Sequence, residues 1–127
     1  MKGPIYTSVT KIWEDDEGIA HTEFLPGARV NCEAAEEHFE ACRQLTGNEK
    51  KPVMVDLKNL VYADRGARQC FSSDASTSIT KASAVIVDSA IGQVVGSFFM
   101  GLNRPPVPIK LFTSREEAMK WLREFKK

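Results

Sequence analysis

Hydrophobic and polar positions change period several times along the chain. Residues Ile5 to Trp13 alternate loosely and are rich in Ile, Val, Thr, Tyr and Trp, which predicts a strand. The polar run Glu14-Asp15-Asp16-Glu17-Gly18 predicts a turn, and Ile19 to Phe24 alternates again, so the two segments form a hairpin. Leu25-Pro26-Gly27 breaks the pattern, and Asn31 can cap a helix whose first turn carries Glu33. Ala35, His38, Phe39, Cys42 and Leu45 recur at helical spacing, and Gly47 closes the helix. From Pro52 the period shifts once more. Val53 to Leu57 is a short, nearly continuous apolar run, the form of a strand covered on both faces. Asp64 can cap a short helix through about Ser72 that turns Ala67, Cys70 and Phe71 inward. Ala84 to Val87 reads as another covered strand, followed by a helix capped by Asp88 or Ser89 and running through Leu102. Ile109 to Phe112 is the last strand, and Ser114-Arg115-Glu116-Glu117 opens a final helix with Ala118, Trp121, Leu122 and Phe125 at helical spacing.

The expected order is therefore β-β-α-β-α-β-α-β-α, an α/β fold with an N-terminal hairpin and a mixed sheet covered by helices. No repeat or linker interrupts it, so residues 1–127 read as one domain. Ser72 to Ser83 is the one low-complexity stretch, read as a loop or a polar extension of the preceding helix.

Composition narrows the possible roles. The chain has 127 residues, 17 Lys plus Arg against 17 Asp plus Glu, and 43% hydrophobic residues. A balanced charge gives no support to a nucleic-acid partner, and no stretch approaches the ~20 apolar residues of a membrane-spanning helix. Without a signal-peptide pattern at Met1 to Pro4, a cytoplasmic location is expected. Three cysteines, Cys32, Cys42 and Cys70, include no Cys-x-x-Cys pair. In a reducing compartment they read as free thiols, not a disulfide and not redox-active. Cys32, in a helix's first turn where the dipole favours a thiolate, is expected to be the reactive one.

No nucleophile and base can be paired, no His-x-x-x-His or other metal spacing occurs, and no phosphate loop is present. The expectation is a protein that is not an enzyme and has no metal or cofactor. In open α/β sheets, ligands sit beyond the carboxyl ends of parallel strands. That rim gathers Asp56, Asn59, Asp64, Arg65, Arg68, Asp88, Ser89, Thr113, Ser114 and Arg115. Capping accounts for Asp64, Asp88, Ser89 and Ser114. It does not account for Arg65 and Arg68, cations one turn apart at the start of a short helix, both expected to be exposed, where an anion or an acidic partner would offset the dipole. His38, on an apolar stripe, reads as a packing residue with one hydrogen bond. Ile91 to Leu102 carries no charge and is apolar nearly all round. Its Phe98, Phe99 and Met100 are therefore candidates for a homodimer interface or an apolar ligand site.

The covered strand Val53 to Leu57, then Asn59-Leu60 and Asp64, resembles the STAS or SpoIIAA-like family, whose pattern is an apolar strand, Asp-Leu, a short link, and Asp-Ser-Ser-Gly opening a helix. Pro108 to Thr113 with Ala118, Trp121 and Leu122 looks like the ending of small bacterial STAS-like proteins. In anti-sigma-factor antagonists of that family the second serine after the aspartate is phosphorylated by a partner kinase. Here Asp64-Arg65-Gly66-Ala67 occupies the motif, and Gly66 stands at the acceptor position. The resemblance thus implies a regulatory or protein-interaction module without the phosphorylation switch, binding a partner or its own copy through Asp64 to Phe71. The alternative is a binder of a small apolar or anionic, lipid-like ligand, since the fold distantly resembles CRAL-TRIO lipid-transfer domains.

Overall fold

The computed structural model describes residues 2–71, 79–87 and 107–126. Strands β1 (Lys2–Tyr6), β2 (Thr10–Glu14) and β3 (Ala20–Phe24) form an antiparallel meander. The segment expected to be one strand over Ile5 to Trp13 is thus two, folded back at Thr7 to Val9. The Thr7 hydroxyl makes that turn by accepting from the amides of Val9 (3.2 Å) and Thr10 (3.0 Å). With neither Gly nor Pro present, the side chain supplies what those residues normally signal. The second turn is the expected one: Asp15 Oδ1 accepts from the amides of Glu17 and Ile19, and Gly18 takes φ 80°.

After Gly27 comes a short strand, β4 (Ala28–Val30), then helix α1 (Cys32–Thr46). Asn31 caps α1 by accepting from the Ala34 amide at 2.8 Å, and Gly47 ends it in the left-handed conformation. Strand β5 (Lys51–Asp56) is followed by β6 (Leu60–Ala63), a segment to which the hydrophobic pattern assigns no element. It pairs in parallel with β4, apart from the main sheet, and leads into helix α2 (Arg65–Phe71). Strand β7 (Thr80–Ile86) takes in the last four residues of the low-complexity stretch, Thr80 to Ser83, together with the strand expected from Ala84. Its alternate positions Thr80, Ala82, Ala84 and Ile86 are buried, and the alanines are small because a helix lies against them. Strand β8 (Ile109–Phe112) and helix α3 (Arg115–Arg123) close the fold.

The main sheet has the order β1-β2-β3-β5-β7-β8, antiparallel at its first two pairings and parallel from β3 onward. It is a mixed α/β fold, as the strand and helix periods predict. One face packs Val9, Phe24 and Ile12 against Ala35, Phe39, Ala41 and Leu45 of α1, with Ala67 of α2 joining that core. On the other, Ile19, Met54, Ala82, Ala84 and Ile86 receive Ala118 and Leu122 of α3. The helix expected over Asp88 to Leu102, with Asp88, Ser89, Phe98, Phe99 and Met100, lies outside the described residues. Among the described residues, no helix is long and apolar enough to cross a membrane.

Candidate functional site at the corner of β6 and α2

Two parallel strands and one helix start build the candidate site. The Asp64 amide donates to Val30 O at 3.0 Å, carrying the β4–β6 pairing one residue past the strand. Its carboxylate turns the chain into α2, accepting from the Ala67 amide at 2.8 Å. Ala67, fully buried, then plugs the short helix into the α1 core. Asp64 is the cap that the sequence implies.

Arg65 and Arg68 part company. Arg65 is exposed, as expected, whereas Arg68 is half-buried and donates from Nη1 to the Ala63 carbonyl at 2.8 Å. The expectation that both arginines stand free for an anion is corrected on that ground: Arg68 reaches back along the helix and braces β6. Helical spacing sets the two one turn apart but does not show the carbonyl beneath the second.

The exposed apolar side chains of this corner carry no signal in the helical or alternating patterns. Val61 is 57% and Tyr62 53% exposed, two large side chains that turn more than half of their surface to water. Arg29 lies directly opposite Tyr62 on β4. Arg29, Lys58 and Arg65 are all exposed, and none is ion-paired among the described residues. Asp64, the carboxylate beside them in the chain, is occupied by its cap.

Gly66 faces Cys32. A Cβ on Gly66 would meet Asp64 Oδ1 at 3.4 Å and Cys32 Cβ at 3.5 Å, both ordinary contacts. Gly66→Ala is therefore expected to keep the fold and gain up to about 1 kcal/mol from helix propensity. A urea midpoint that falls instead would mean that the glycine is needed for close packing on α1.

Cys32 and Cys70 are bonded to each other, with Cα atoms 6.1 Å apart. This corrects the reading of three free thiols. Cys32 opens α1 and Cys70 lies near the end of α2, 38 residues away, and only the crossing of the two helices brings them together. Cys42 keeps a free thiol, packed 3.5 Å from His38 Nε2, and burial pushes it up to about 12. His38 is buried, hydrogen-bonded through Nδ1 to Thr10 Oγ1 at 3.0 Å, and burial lowers it to about 4. It is the packing histidine that its place on the stripe suggests. His21, also buried, stacks on Trp13 and bonds Asp15 Oδ2 through Nε2 at 2.8 Å. Burial works against the Asp15 charge, but hydrogen bonds from His21 and from the amides of Ile19 and Glu17 outweigh it and hold the carboxyl below its usual range.

Of the other rim residues, Asp56, Ser114 and Arg115 are tied into structure, whereas Asn59 and Thr113 are exposed. Arg115 Nη1 donates to Asp56 Oδ2 at 3.0 Å, and Ser114 caps α3 by accepting from the Glu117 amide. A charged depression at the opposite end of the sheet, lined by residues including Glu17, Glu49, Lys51 and Lys126, is laced by its own ion pairs, Lys51 with Glu49 at 3.1 Å and Lys126 with Glu17 at 3.6 Å.

One solved structure supports the fold. An uncharacterised protein of the DUF3478 family from Shewanella loihica PV-4, described as having a SpoIIAA-like fold, aligns over 96% of this chain and 98% of its own, with a TM-score of 0.62 at 14% identity. A protein of unknown function from Arthrobacter sp. FB24 aligns over 93% of this chain and 95% of its own, at 29% identity and a TM-score of 0.35. No curated protein matches the sequence. The fold is SpoIIAA-like, as the strand-to-helix motif around Asp64 suggests. A family model described as a domain of unknown function, DUF7793, matches residues 12–126, and the chain belongs to that family.

Proposed function

We propose that the protein is a non-enzymatic, STAS-like interaction module that docks an acidic segment of a partner protein on the β6–α2 corner. The observation that carries this reading is the pair of exposed side chains, Val61 and Tyr62, with Arg29 opposite on β4, Lys58 just before β6 and Arg65 just after it, cations without an ion pair among the described residues. Large apolar side chains at a strand surface cost nothing to a folded monomer but supply the desolvated centre of an interface. The cations choose the partner. A two-fold contact of this corner with its own copy would set like charges against each other, whereas carboxylates flanking an apolar residue complement it. Self-association through Ile91 to Leu102 is a separate part of the proposal, and Gly66 keeps the module free of the serine switch.

Selecting a displayed peptide library on the purified protein tests the docking reading. The expected winners place Asp or Glu beside a Leu, Phe or Tyr, bind more weakly as salt rises, and lose binding to Tyr62→Glu and to Arg65→Glu. Both positions are exposed, so both variants should unfold like the unmodified protein. No enrichment, or winners that bind the two variants equally well, would reject the corner as a docking site. The lipid-like ligand alternative rests on Phe98, Phe99 and Met100, outside the described residues.

A further inference from the structure

We propose that Cys32 and Cys70 are a reversible dithiol–disulfide couple, exchanging with a small thiol and its disulfide, that fastens α2 to the first turn of α1 and releases it. Three observations carry the inference. Neither cysteine is buried, so a small thiol reaches the bond from solvent. The third cysteine is unsuited to interfere, because Cys42 is packed against His38 and lies on the opposite stretch of α1 from Cys32. Above all, α2 does not depend on the bond for its place. Asp64 caps its start, Ala67 fills the core beneath it, and Arg68 holds the Ala63 carbonyl. A cross-link laid over a helix that is already anchored can open without unfolding the protein, which distinguishes a switchable bond from a staple.

The exchange balances as follows. A small thiolate attacks one sulfur of the Cys32–Cys70 bond, giving a mixed disulfide and freeing the other cysteine, which takes up a proton. A second small thiolate attacks the outer sulfur of the mixed disulfide, releases the remaining cysteine as a thiol once protonated, and leaves as the small disulfide. Two electrons and two protons pass to the protein, and two small thiols become one disulfide. The reverse reaction closes the bond. Glu36 Oε1, 3.5 Å from Cys32 Sγ, is positioned to accept the Cys32 thiol hydrogen in the open form. Since α2 follows β6, opening would also loosen the end of the helix behind Val61 and Tyr62. That consequence rests on the docking reading; the couple itself does not.

The test is equilibration of the purified protein in mixtures of reduced and oxidised glutathione, quenched with a maleimide and read by peptide mass. The expected result is one two-electron transition in which Cys32 and Cys70 gain label together, while Cys42 labels slowly throughout. Across it the circular dichroism should hold, and amide exchange in α2 should quicken severalfold in the reduced form. Cys70→Ser should leave Cys32 open to label without reductant; should that variant fail to fold, the reduced unmodified protein gives the answer alone. Three results would overturn the proposal: no linkage of the pair at any ratio, loss of the fold on reduction, or retention of one zinc ion per reduced chain by Cys32, Glu36 and Cys70, whose ligand atoms lie within 4.8 Å of one another.

Discussion

Acidification from pH 7 to pH 4 is expected to cost the fold on the order of 3 kcal/mol through His38, at about 1.4 kcal/mol for each unit of pKa difference. The ring is buried between β2 and α1, its Nδ1 on Thr10 Oγ1, Cys42 Sγ beside Nε2 and the edge of Phe39 against it. Burial alone lowers it from 6.5 to about 4. In the window between those values the unfolded chain binds a proton that the native ring refuses. Stability is therefore full above about 6.5, falls as the pH drops toward 4, and levels off below, because both states are then protonated. His38→Asn keeps a polar partner for Thr10 and cannot titrate. Urea unfolding of both proteins at pH 7, 5.5 and 4 separates this contribution from that of Asp15 and Glu37, which remain in each. The stability gap between the two proteins should shift by about 3 kcal/mol in favour of the variant across that range, a large part of a typical domain's stability. A gap independent of pH would show that water reaches the ring.

The parts of the fold that the sequence reveals are those with strong period and explicit caps. Asn31, Asp64 and Ser114 each accept the amide three residues ahead, and Gly47 takes the left-handed turn. What it conceals has identifiable causes. The Thr7 turn uses a hydroxyl in place of glycine or proline. Only the first half of β7, Thr80 to Ser83, is hidden, because its inward residue Ala82 is small to make room for α3, an element more than thirty residues later. Strand β6 has only four residues and pairs outside the main sheet, so neither length nor context marks it. The site follows the same division. Local spacing places Asp64 and Arg65 at a helix start, but Arg68 is decided by a carbonyl and the Cys32–Cys70 bond by a helix crossing, both tertiary events.

Leu122→Ala is expected to be the most damaging single truncation on the α3 face, removing about 2–5 kcal/mol. Leu122 is fully buried and stands where α3 crosses the sheet, among Ile19 of the turn before β3, Met54 of β5, and Ala82, Ala84 and Ile86 of β7. Those alanines have no side chain to swing into the space a deleted isobutyl group would leave, and the strands that carry them are fixed by pairing on both sides. The cavity would therefore stay open, which puts the cost toward the upper part of that range. Trp121 offers the contrast on the same helix. It is half-buried, with Phe112 and Phe125 as ring neighbours at 5.8 and 4.9 Å, and a residue at the rim can be replaced partly by water. Lys120→Ala, on the exposed side, should stay within about 0.5 kcal/mol. Urea titrations of Leu122→Ala, Trp121→Ala and Lys120→Ala should lower the midpoint in that order, most to least, with the slope unchanged. A Leu122→Ala midpoint near that of Lys120→Ala would mean that α3 rides loosely on β5 and β7, and that the small residues of β7 do not form the groove assigned to them.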